Sequence, residues 1–135
     1  MTEEDPDVVI TWTQGDTTVR WSGPAGTVEK SYELPPQGVM AWREYDKTMV
    51  LVVEALDTTP SSPTDNAVVY WADGSERFRL HPPNDLVWNP NSVEGFYDAF
   101  PQDGRPLMIM ATRAGDFHGR IDLETGEIVD TNIWR

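Results

Sequence analysis

Apolar and polar side chains alternate along this chain in short runs broken by glycine- and proline-bearing turns, the pattern of strands half-buried on a sheet. Val8, Ile10 and Trp12 share one face and Val9 and Thr11 the other. After Gln14-Gly15-Asp16, Val19 and Trp21 alternate with Thr18 and Arg20, which predicts a hairpin. Ser22-Gly23-Pro24-Ala25-Gly26 leads into a strand over 27–34, where Val28, Tyr32 and Leu34 oppose Glu29, Ser31 and Glu33. Pro35-Pro36 ends it, because proline has no N–H to give a ladder.

Two stretches abandon the alternation. Residues 48–55 (TMVLVVEA) and 107–112 (LMIMAT) are apolar at consecutive positions, which predicts central strands covered on both faces. The most direct hairpin signal is Asp73-Gly74 between strands at 68–72 and 76–80, stopped by Pro82-Pro83. Short strands are predicted at 39–42 and 85–88, and strands at 116–122 and 127–134 flank the turn Glu124-Thr125-Gly126. Residues 56–66 form a polar loop too long for a tight hairpin. One segment reads as a helix: Val93, Phe96, Tyr97 and Phe100 recur at i, i+3, i+4 and i+7. Asn91 stands three residues before Glu94 in capping-box spacing, and Pro101 follows.

The expected fold is therefore all-β, with about 10–12 short strands in antiparallel sheets and at most one short helix near 92–100. Residues 8–135 make one β domain. Residues 1–7, with four acidic groups and a proline, read as a disordered acidic tail.

The strand pattern also echoes itself. Gly26, Gly74 and Gly126 each sit in a turn between two strands. Ahead of the second and third of these come a short strand and then a long apolar one. This order resembles the four-stranded blade of a β-propeller, whose repeat is about 40–50 residues. The resemblance implies an open, partial propeller, because a closed ring takes about four blades and this chain has material for fewer. The other arrangement compatible with the pattern is a sandwich. Either leaves strand edges that must be covered, charged or paired, so a homodimer through an open edge is one expectation.

Composition narrows the function. Six Trp, four Tyr and four Phe give the core its bulk, and the absence of cysteine removes disulfides and thiolate metal sites. No apolar run approaches the roughly 20 residues of a membrane helix. The first residues lack a basic and then an apolar region, so a cytoplasmic location is expected. Ten Lys and Arg against 23 Asp and Glu give a net charge of −13. That balance argues against nucleic acid and anionic membrane surfaces and favours a basic partner reached by electrostatic steering.

Motifs for catalysis are missing. There is no Gly-x-Ser-x-Gly elbow, no phosphate-binding loop and no His-Glu-x-x-His. Asp116, His118 and Asp122 share one strand face, but in so acidic a chain this coincidence does not define a metal site. A non-enzymatic protein without cofactor or metal is expected. Of the tryptophans, Trp12, Trp21, Trp71 and Trp134 fall on strand faces with aliphatic neighbours and read as core. Trp42 and Trp88 close short strands before irregular connections, where an aromatic anchor would also fit.

A small, cysteine-free, strongly acidic, aromatic-rich chain resembles the bacterial immunity proteins in size and composition. The resemblance implies an inhibitor that neutralises a basic cognate toxin, such as a nuclease, by acidic and aromatic complementarity. The expected partner-binding residues are Asp85, Trp88, Glu94, Tyr97, Asp98 and Asp103, with Asp57 and Asp65 as weaker members. An alternative is a non-catalytic small-molecule or carbohydrate-binding module using Trp42, Trp71 and Trp88 as stacking platforms. A third is an adaptor whose open sheet edge pairs with another chain.

Overall fold

The computed structural model describes residues 7–56, 64–89 and 92–134. Eleven strands lie among them: β1 (Val9–Thr11), β2 (Thr18–Gly23), β3 (Gly26–Ser31), β4 (Gly38–Glu44), β5 (Lys47–Val53), β6 (Ala67–Trp71), β7 (Glu76–Leu80), β8 (Val93–Gln102), β9 (Arg105–Thr112), β10 (Gly115–Ile121) and β11 (Ile128–Ile133). All pairing is antiparallel and follows chain order. It makes three meanders, β1-β2-β3, β4-β5-β6-β7 and β8-β9-β10-β11. The fold is all-β, as the alternation predicts, and no closed barrel forms among the described residues.

The middle meander carries the packing. Along β5, six successive residues from Thr48 to Val53 are buried, so both faces of the strand are covered. Met49, Leu51 and Val53, with Val69 of β6, pack against Phe96, Met108 and Met110 of the third sheet. Val50 and Val52, with Val68 and Tyr70, pack against Val8, Val19 and Trp21 of the first. Two cores therefore flank one sheet, and the consecutive apolar run at 48–53 is what a middle layer demands. The middle meander follows the order read from sequence, a short strand, a long apolar strand and a glycine-turn hairpin. In the third sheet the first strand is the ten-residue β8, in place of the short strand expected at 85–88.

The strand β9 is also buried on both faces, but among the described residues no other sheet packs on its outer one. There Leu107 pairs with Phe100 and Arg120, and Ile109 with Asp98 and His118. Phe100 and Trp134, from opposite edges of this sheet, stack with ring centroids 6.0 Å apart. His118 meets Trp134 edge-on at 5.9 Å. The outer face is thus roofed by its own aromatic side chains.

Two sequence expectations are corrected. Residues 93–102 are strand β8, not a helix. The ladder to β9 slips by one residue between Val93 and Gly95 and again between Phe96 and Asp98. The first bulge stretches the inward spacing from Val93 to Phe96 to three, Tyr97 is the extra residue of the second, and Phe100 lies on the outer face. The four apolar residues thus imitate a helical face without sharing one. Gly95, at φ +139°, supports the first bulge, and a Cβ there would lie 2.7 Å from Asn66 Oδ1. The second correction is at 85–88, which forms turns and bends rather than a strand. Leu86 packs toward the core between the second and third sheets while Trp88 points away, so the two do not share a face.

Two polar contacts close the layers. The buried Asn66 donates from Nδ2 to Glu54 O (3.0 Å) and Phe96 O (2.8 Å) and accepts from Phe96 N–H (2.7 Å). It joins the middle sheet to β8 as a strand would. At the other end, Thr48 Oγ1 donates to the Asp7 carboxylate at 2.7 Å. Asp7 is the one residue of the expected tail within the described residues.

Candidate functional site

Pro82-Pro83 ends β7 and releases the chain into an irregular connection to β8. Asp85 and Trp88 lie on it. The Trp88 side chain is 100 % exposed, an arrangement that leaves a large apolar ring in water with no packing return. Asp85 borders a groove of about 600 Å³ between β7 and the β10–β11 turn, with Phe78, Pro83, Glu127 and Ile128 among its walls.

Further on, Glu94 and Tyr97 are the extra residues of the two bulges, so neither is fixed by a ladder partner. Tyr97 is half exposed, and its carbonyl accepts a hydrogen bond from Gln37 Nε2 at 3.3 Å. Asp98 presses on β4: a Cβ on Gly38 would stand 2.5 Å from Asp98 Oδ1. Partial burial raises the Asp98 carboxyl above its ordinary range, and the bond it accepts from Ala99 N–H opposes this. Its ionised form is therefore disfavoured by folding, and the penalty is present above the raised folded value and gone below the ordinary one. Asp98→Asn is expected to raise the melting temperature at pH 7. The gain should fade as pH falls through the folded value and vanish near pH 3, a comparison that thermal melts at both pH values provide.

Asp103 sits apart, in the β8–β9 turn at φ +53° with Gly104 at +76°. Its carboxylate is 3.7 Å from Arg120, and it shares a shallow cleft with Arg43, Tyr45 and Arg105. With its two bulges β8 advances about seven strand steps opposite β9, and at roughly 3.3 Å each these put about 23 Å between Glu94 and Asp103. Asp85 faces β11, three strand spacings of about 4.8 Å from β8 across the sheet. The six expected residues thus trace a path around the third sheet and do not converge on one spot. Asp65 is half-buried and offers its carbonyl to Arg79, and Asp57 lies outside the described residues.

The platform tryptophans divide. Trp42 is sealed in the core with its indole N–H on Glu44 Oε1 at 3.1 Å. Trp71 is roofed by the Arg77 guanidinium, 4.4 Å from its ring centroid. Of the three, Trp88 alone is open. Trp134, expected in the core, instead lies on the outer face of the third sheet against Phe100. Strand alternation places it on a face but does not say whether another layer covers that face.

No protein-family model matches this chain, and neither does any curated protein or solved structure. The site therefore stands on its own chemistry. Among the described residues no group of three or more His, Asp and Glu is placed to hold a metal. His118 packs on Trp134, and Asp122 Oδ1 accepts the Glu124 N–H within the β10–β11 turn. No helix among the described residues is long and apolar enough to cross a membrane. What the surface offers is dispersed carboxylates on irregular backbone and, at Trp88, a wholly exposed indole.

Proposed function

We propose that this protein is a non-catalytic, protein-binding inhibitor, an immunity protein that neutralises a basic bacterial toxin such as a nuclease and works in the cytoplasm. The observation that carries the reading is Trp88, wholly exposed on the same irregular segment as Asp85 in a chain of net charge −13. An indole is a frequent interface hot spot, and it gains most when a partner removes it from water. The carboxylates would occupy the basic surface a nuclease uses for phosphate and speed the encounter by steering. Glu94, Tyr97, Asp98 and Asp103 extend this surface along β8.

The test is binding kinetics against the products of the neighbouring reading frames, where a basic toxin is the expected partner. The association rate is expected to fall on the order of tenfold or more as ionic strength rises past the point where the Debye length drops below about 10 Å. Trp88→Ala should leave stability within about 0.5 kcal/mol yet weaken the complex about 30-fold, the equivalent of a 2 kcal/mol hot spot. Absence of binding to any neighbouring gene product, or an association rate indifferent to salt, would overturn the proposal.

A further inference from the structure

The groove beside Asp85 is built for more than general acidity. One wall is β7, an edge strand of the middle sheet whose outer side pairs with no strand among the described residues. The opposite wall is the β10–β11 turn. There Gly126, at φ +77°, lies flat on Phe78, and an added Cβ would come within 2.6 Å of the ring. At about 600 Å³ the groove falls within the roughly 300–1,000 Å³ of typical binding sites. Phe78, Pro82, Pro83 and Ile128 give it apolar sides, and Asp85 and Glu127 give it two carboxylates.

Arg79 also borders the groove, but its charge is spent elsewhere. Its guanidinium holds Glu54 at 2.8 and 3.1 Å and the Asp65 carbonyl at 2.8 Å. The bond to the Glu54 carboxylate raises the Arg79 pKa above its ordinary value against the opposing effect of partial burial, so the guanidinium stays protonated and anchored and contributes its stem to the wall. His81 is the other basic residue at the rim, and it is exposed.

We infer that this groove seats an extended, arginine- or lysine-bearing segment of a protein partner, with one cationic side chain between Asp85 and Glu127. The inference rests on the reading of this protein as a binder of basic proteins and adds where the partner's chain lies. The methylene stem of Arg or Lys suits the Phe78, proline and Ile128 walls, and its head suits the carboxylates. An extended backbone suits β7, since an open edge accepts a strand. The β8 edge is a poorer host, because two bulges and Pro101 are devices that keep an edge from pairing.

Titrating the full isotopically labelled chain with the blocked peptide Ac-Arg-Val-Arg-Val-Arg-NH2 tests this by amide chemical shifts. Shifts are expected at Phe78–Leu80, at His81, Asn84 and Asp85, and at Gly126–Ile128. They should be weakened at least tenfold in the D85N/E127Q double variant, whose unliganded spectrum reports that it is folded. The peptide Ac-Glu-Val-Glu-Val-Glu-NH2 should leave these amides unmoved. Shifts confined to 93–103, equal response to the acidic peptide, or undiminished binding by the double variant would each overturn the groove assignment. None of those three results touches Trp88 or the salt dependence of the toxin complex, so the proposed function is tested separately.

Discussion

Trp21→Ala is expected to lower the free energy of unfolding by about 4 kcal/mol, the range found for truncating a buried Trp or Phe. Trp21 is fully buried between the first and second sheets, its ring 5.9 Å from Tyr70 and tilted to it. Its indole N–H donates to the Ala72 carbonyl at 2.9 Å. Truncation opens a void where three strands meet the middle sheet and leaves that carbonyl unpaired. The first meander has no other large buried side chain, with Val8 and Val19 as its remaining fully covered contacts. Urea denaturation measures the loss, and hydrogen exchange should show β2 and β3 opening before β9. A cost under about 1 kcal/mol would mean that the first sheet is not held by this packing.

Asn66→Ala should cost about 3 kcal/mol, because it removes three hydrogen bonds and strands both backbone groups of Phe96 in a buried position. The effect should be local as well as global. Exchange of the Phe96 amide, now bonded to Asn66 Oδ1, should rise by more than exchange in β10. Asn66→Asp preserves the acceptor but loses both donor bonds and faces a carboxylate toward the Glu54 and Phe96 carbonyls, so it should be no milder at neutral pH. If Asn66→Ala melts within about 1 kcal/mol of the natural protein, the link between the middle sheet and β8 is not the clamp described.

Local chemistry made much of this fold legible. The Asp73-Gly74 turn forms where expected, with Gly74 at φ +91° and Asp73 accepting from Ser75 N–H and Oγ–H. Those bonds hold the Asp73 carboxyl below its usual range. The runs at 48–53 and 107–112 announced strands covered on both faces, because no alternation survives where neither face meets water. Bulges defeated the reading at 93–100, since an inserted residue changes the period without changing the secondary structure.

The site was legible in part for similar reasons. Trp42 and Trp88, matched in the echo, read alike from sequence as core or anchor, yet one is sealed and the other wholly exposed, because 85–88 is an irregular connection and not a strand. Glu127 joins Asp85 only through the stacking of two sheets, a relation that no spacing along the chain encodes. The stack of Phe100 on Trp134 was hidden for the same reason: the two residues sit on opposite edges of one sheet.

Hydrogen exchange on the complex with the toxin-type partner tests the central claim most directly. Binding through the acidic, aromatic flank predicts slowed exchange across residues 84–89 and along β8, with β1 and β3 unchanged. Protection centred on β1–β3, with 84–89 and β8 unaltered, would contradict it.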